Sequence, residues 1–109
     1  MSTPPGPSRP TAIVDVDTSP GNGERSAALF RDALRRLLAE GYDCILVNLA
    51  LATYIDSTLL GAIVQGYISA MRVGTTVKLL NASRRVKELL AVTKLDRVLE
   101  TVNGENAPR

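Results

Sequence analysis

The residues most capable of chemistry lie in one short stretch, Tyr-Ile-Asp-Ser-Thr-Leu-Leu-Gly, at positions 54–61. Asp56 and Ser57 place a carboxylate beside a hydroxyl, a pairing found in nucleophilic sites and equally at helix N-caps. Because the pair follows an apolar run and precedes a helical pattern, we expect it beyond the carboxyl end of a strand, where open α/β sheets meet ligands and partners. Helix capping alone would explain the presence of both residues. On their spacing alone, we favour capping over a nucleophilic site.

The rest of the sequence offers little that could activate a serine. It contains no histidine, which removes the commonest general base and metal ligand, and no lysine lies near Ser57. The single cysteine, Cys44, excludes an internal disulfide and is expected to be inert packing. Residues 17–23, Asp-Thr-Ser-Pro-Gly-Asn-Gly, form neither a Walker loop nor a dinucleotide fingerprint. We therefore predict no enzyme, no metal and no cofactor.

Length and composition indicate one folded domain. The 109 residues suffice for one modest core, and 45% hydrophobic with 22% charged residues is typical of globular chains. The net charge of +2 does not indicate nucleic-acid binding. No apolar run reaches bilayer-spanning length, so we expect a cytoplasmic protein without a membrane partner. We predict a disordered tail at residues 1–10, a domain at 11–102 and a flexible tail at 103–109.

The apolar periodicity alternates between strands and helices. Strands are predicted at residues 11–16, 44–49 and 75–80. Amphipathic helices are predicted at residues 24–40, 58–73 and 84–92. Glycines are expected to end the first two helices, and Ser83 to cap the third. This order predicts an α/β fold with a central, mostly parallel sheet of about four strands and helices packed on it.

Some features of these elements are predicted in more detail. The continuous apolar run at 44–49 indicates a central strand covered on both faces. The second helix has only a narrow stripe of polar or small residues, which predicts burial on more than one side: Thr58, Ala62, Gln65, Ser69 and Arg72. Residues 95–101 fit either a last strand at 98–99 or a final helical turn. Asn48 and Asn81 are expected to bond loop backbones.

Residues 45–99 resemble the core of a STAS domain as found in bacterial anti-sigma factor antagonists. In that family a strand leads through a short loop into Asp-Ser-Ser/Thr/Ala-Gly-Leu-Gly at a helix start. The matching residues here are Asp56, Ser57, Thr58, Leu60 and Gly61. The segment Lys-Leu-Leu-Asn at 78–81, together with Arg-Val at 85–86 and Leu-Asp at 95–96, is similar to the later part of the family's core.

The resemblance implies a STAS-like fold and a binding module that docks on an anti-sigma factor with serine-kinase activity. Phosphorylation of the family's serine, which corresponds to Ser57, would switch docking off, and a phosphatase would reset it. The resemblance also allows a homodimer. The implied partner-binding residues are Asp56, Ser57, Thr58, Leu59, Leu60 and Gly61. A phosphate on Ser57 would be held by the helix N-terminus, so the helix would persist while its charge breaks the interface.

Leu59 is the main departure from the family motif, since it replaces the first glycine. A leucine side chain could obstruct a partner's backbone that glycine would admit. It is either one more packing residue or, with Leu60, part of an apolar docking patch. The alternative function is an unphosphorylated STAS adaptor, such as a stressosome-type scaffold or a transporter-associated subunit. The N-terminal part departs as well, and we expect the second strand of the family's opening hairpin to be short or missing.

Overall fold

Within the part of the chain that the structure describes, four short strands form one sheet in which every neighbouring pair runs parallel. The computed structural model describes residues 9–18, 23–52 and 54–102. The strands lie side by side in sequence order: β1 (Arg9–Asp15), β2 (Tyr42–Asn48), β3 (Thr76–Leu80) and β4 (Thr101–Val102). This confirms the predicted α/β fold with a parallel central sheet.

Helices connect the successive strands, as parallel pairing requires. They are α1 (Gly23–Glu40), α2 (Ser57–Arg72) and α3 (Arg84–Thr93), and a single 3₁₀ turn follows at Leu95–Arg97. Gly41 and Gly74 follow α1 and α2 with φ of +81° and +79°, the left-handed conformation that glycine adopts without steric cost. Ser83 caps α3 by accepting a hydrogen bond from the Val86 N–H at 3.1 Å, as predicted.

The three helices share one core with one face of the sheet. Strands in sequence order joined by right-handed crossovers place their helices on the same side. Alternate residues of the strands, and of the positions just after β1 and β2, point to that side and pack against all three helices: Val14, Val16, Ile45, Val47, Leu49, Val77 and Leu79. Leu46, which points to the opposite face of β2, is also fully buried. Cys44 and Asn48 on this opposite face are half-buried, so the predicted coverage of both faces of the central strand is confirmed only in part.

Helix α2 is less buried than its sequence suggests. Ala62, placed in the predicted polar stripe, faces the core, while the apolar Ile68 and Met71 are exposed. The prediction of burial on more than one side is confirmed, because α2 packs against both α1 and β3. Its exposed face is nevertheless wider than predicted. Small residues are needed where two helices approach closely, and a Cβ atom on Gly66 would overlap Leu34 of α1. A small residue such as Ala62 therefore does not indicate an exposed position.

The chain differs from the prediction near both ends. Backbone pairing of β1 begins at Arg9, inside the predicted tail, and no second strand of a hairpin occurs in the described residues before α1. Residues 95–97 form the helical alternative, and strand β4 starts only at Thr101 because Leu99 turns into the core. The predicted tails at 1–8 and 103–109 lie outside the described residues. Across the described ranges, no helix is long and apolar enough to cross a membrane.

Candidate functional site

The carboxyl ends of the strands and the N-termini of the helices meet at one edge of the sheet, because every strand is parallel. A chain of side-chain hydrogen bonds ties this edge together. Asn48 donates to the Asp15 carboxylate at 2.7 Å, and Asn81 donates to the Asn48 oxygen at 3.2 Å. The same Asn48 oxygen accepts from the Ala50 N–H at 3.1 Å, so the prediction that Asn48 bonds a loop backbone is confirmed.

Asp56 is the N-cap of α2. Its backbone is extended, and its carboxylate Oδ1 accepts a hydrogen bond from the Leu59 N–H at 2.8 Å. The other side of the carboxylate lies against Gly23, the first residue of α1, where an added Cβ would overlap it. The half-buried Asp56 therefore joins the starts of two helices: Oδ1 accepts the capping hydrogen bond, and Oδ2 lies against Gly23.

Ser57 is the first residue of α2 and is exposed. Its hydroxyl makes no hydrogen bond to any other described residue. Asp56 occupies the Leu59 N–H, which leaves the Ser57 and Thr58 amides of the first turn without a partner in the described part of the chain. The hydroxyl therefore stands at the positive end of the helix dipole, open to solvent.

The remaining predicted site residues divide between surface and core. Thr58 and Gly61 are exposed, and a Cβ atom on Gly61 would meet nothing within 4 Å. Leu60 is half-buried and packs against the core. Leu59 is 0% exposed, on the same helix face as Ile63. The prediction that Leu59 contributes to a docking patch or obstructs a partner is therefore wrong, and its packing interpretation is confirmed.

Two exposed apolar residues precede the site in the connection from β2 to α2. Leu51 is 63% exposed and Tyr54 is 53% exposed. Tyr54 also borders a shallow, mostly apolar pocket of about 190 Å³ between this connection and α3. We call it the Tyr54 pocket, and it is lined by Tyr54, Ile55, Arg85, Val86 and Leu89. This pocket was not predicted from the sequence, although apolar residues in a segment that connects a strand to a helix can indicate a binding surface.

Cys44 lies on β2, half-buried on the sheet face opposite the helices. Burial raises the pKa of its thiol above the ordinary value, the nearby Lys78 ammonium lowers it, and the Glu100 and Asp43 carboxylates raise it. The thiol is thus held in its protonated, weakly nucleophilic form at neutral pH. No group of three or more metal-ligating side chains occurs among residues 9–18, 23–52 and 54–102.

The parallel sheet and the Asp-Ser pair at the start of α2 define a small α/β protein of STAS-like architecture. The STAS domain family matches residues 24–106, which is most of the sequence. The chain therefore belongs to the STAS domain family.

Two solved structures are similar over most of the chain. The NMR structure of the protein TM1081 has a TM-score of 0.70 and 27% identity, covering 84% of this chain and 74% of that one. A crystal structure from Thermotoga maritima, described as a "putative anti-sigma factor antagonist (tm1081)", has a TM-score of 0.65 and 26% identity, covering 83% and 71%. Curated protein sequences give no match. These likenesses agree with the fold and family predicted from the sequence.

Proposed function

We propose that this STAS protein is an anti-sigma factor antagonist that docks on an anti-sigma factor with serine-kinase activity, and that phosphorylation of Ser57 ends the docking. The docking surface comprises the exposed part of residues 56–61, here called the docking segment, with Ser57, Thr58 and Gly61 at its centre. The observation that carries this proposal is the exposed Ser57 hydroxyl, which bonds no other described residue and stands at a helix start whose cap is already supplied by Asp56.

A phosphate on Ser57 would change the surface without unfolding the domain. The first-turn amides that have no partner among the described residues would stabilise an anion at this position, together with the helix dipole. The capping bond from the Leu59 N–H to Asp56 stays in place, because it uses the carboxylate and not the hydroxyl. The new charge of about −2 would stand in the middle of the docking segment, where it must be desolvated for a partner to bind. Binding would therefore be lost while the fold is retained.

The burial of Leu59 removes the argument that this residue prevents phosphorylation. Its side chain points into the core, so a kinase approaching Ser57 would meet Thr58 and Gly61 instead. The unphosphorylated adaptor was favoured because a leucine at position 59 could obstruct a partner, and the burial of Leu59 removes that support. The docking role needs no catalytic group in this chain, since the kinase supplies the chemistry and a phosphatase reverses it.

The proposal is tested with the purified protein, ATP and the anti-sigma factor kinases of the source organism. Mass spectrometry should locate one phosphate on Ser57, and Ser57→Ala should remain unmodified. Thr58→Ala is the matched control, because it removes a neighbouring exposed hydroxyl and should leave phosphorylation unchanged. Phosphate on another residue, or none with any of these kinases, would contradict the proposed switch.

A further inference from the structure

The Tyr54 pocket lies directly beside the docking segment. Tyr54 and Ile55 form one wall and immediately precede Asp56, while Val86 and Leu89 of α3 form the other. Helices α2 and α3 both start at the same edge of the parallel sheet. A partner that covers Ser57 therefore reaches the pocket without leaving this edge.

The first turn of α3 has an unfavourable charge pattern. Its exposed cations Arg84, Arg85 and Lys87 stand at the positive end of the helix dipole, and the turn contains no acidic residue. Cations at a helix N-terminus destabilise the helix, whereas carboxylates would stabilise it. The fold of α3 therefore does not account for Arg85 and Lys87, whereas Arg84 pairs with Glu88 of the same helix.

Within the described ranges, Arg85 has no ion pair to offset this cost. The one carboxylate nearby on α3, Glu88, lies 3.9 Å from the neighbouring Arg84. Arg85 and Leu89 are four residues apart and so lie on one face of α3, both lining the pocket. An apolar cavity with an unpaired guanidinium at its rim is complementary to an apolar side chain flanked by a carboxylate.

We propose, on the basis of the proposed function, that the Tyr54 pocket receives an acidic segment of the anti-sigma factor, with one apolar side chain in the cavity and a carboxylate on Arg85. The buried contact supplies affinity, and the charge pairing sets the register and the association rate. Arg85 is thus a specificity-determining residue of the interface, separate from the Ser57 switch.

The test measures the affinity of Arg85→Glu, Arg85→Ala and the unaltered protein for an anti-sigma factor that binds the unaltered protein. We expect Arg85→Glu to weaken binding by about tenfold or more and Arg85→Ala to weaken it less, because reversal adds repulsion to the lost pairing. The melting temperature of Arg85→Glu should stay the same or rise, since a carboxylate suits the start of α3. A structural role for Arg85 would instead lower both stability and binding.

The matched control is Arg36→Glu, which reverses an exposed arginine on α1 away from the Tyr54 pocket and should bind normally. Normal binding by Arg85→Glu, with loss of binding by Ser57→Asp, would overturn the pocket assignment and leave the proposed function standing. Failure of the unaltered protein to bind any anti-sigma factor would overturn both. The pocket assignment would also be overturned if the unaltered protein bound a labelled DNA duplex and Arg85→Glu abolished that binding. The cations of α3 would then bind a nucleic acid.

Discussion

Gly23 at the start of α1 lies against the carboxylate of Asp56, the residue that caps α2. A side chain at position 23 and the capping carboxylate would occupy the same space. The starts of the two helices are therefore fitted to each other through one glycine and one aspartate. This contact fixes the backbone on which Ser57 stands.

The first prediction concerns Gly23→Ala. Replacing glycine by alanine in a helix normally stabilises a protein, but here the new methyl group displaces Asp56 and breaks the cap. Loss of an N-cap costs about 0.5–2 kcal/mol, so the free energy of unfolding should fall by about 1 kcal/mol in urea titrations.

A double-mutant cycle isolates this contact. In an Asp56→Ala background there is no carboxylate to displace, so the penalty of Gly23→Ala should disappear. Additive effects of the two substitutions would show that the methyl group is accommodated and that Gly23 does not restrain Asp56.

The second prediction concerns Leu59→Ala. Removing this fully buried side chain should lower the free energy of unfolding by about 2–5 kcal/mol, the range for large-to-small substitutions in cores. Leu60→Ala, on a half-buried neighbour, is the control and should cost less. Equal and small effects of both would place Leu59 outside the core. A further variant, Leu59→Gly, restores the glycine of the family motif. It should destabilise the domain without increasing phosphorylation of Ser57.

The sequence predicted that position 59 lies at a helix start, but it did not predict whether the Leu59 side chain is buried. Strands, helices and caps follow from short-range periodicity, and their order was sufficient for the fold class. The family was indicated by the resemblance of residues 45–99 to a STAS core. The direction of one side chain at a helix start depends on how α2 is rotated against the sheet, which no motif records. The Tyr54 pocket could not be predicted either. Tyr54 and Leu89 are distant in sequence, and only the packing of α3 brings them together.

The third prediction uses Gly61, where an added Cβ meets nothing in the free protein. Gly61→Ala should raise the free energy of unfolding by about 0.5–1 kcal/mol, because alanine is the better helix former. It should also weaken anti-sigma factor binding, since the methyl group projects from the docking segment. Ser69→Ala, at an exposed position two turns further along α2, should leave binding unchanged. Unaltered binding by Gly61→Ala would remove that position from the interface.

The fourth prediction concerns the pH dependence of Cys44. Because burial raises the pKa of its thiol, alkylation by iodoacetamide should become fast only at a pH above the ordinary thiol value of about 8.5. Protein unfolded in urea provides the reference and should react with the ordinary pH profile. Lys78→Met should shift the folded profile higher still, since the ammonium lowers the pKa of the thiol.

The raised pKa of the Cys44 thiol also makes the stability of the fold depend on pH. A raised pKa in the folded state stabilises the fold fully below the unfolded value, and this contribution is lost as the pH rises through the folded value. A folded alkylation profile at or below that of the unfolded chain would contradict the burial of Cys44.

The proposed switch turns off docking through a negative charge at Ser57 and leaves the domain folded. Its most direct test is the dissociation constant of the anti-sigma factor for the unaltered protein, Ser57→Ala and Ser57→Asp, measured by calorimetry alongside the melting temperature of each. We expect near-normal binding by Ser57→Ala, binding weakened by about tenfold or more in Ser57→Asp, and no loss of stability in either. Equal affinities for all three proteins would contradict it.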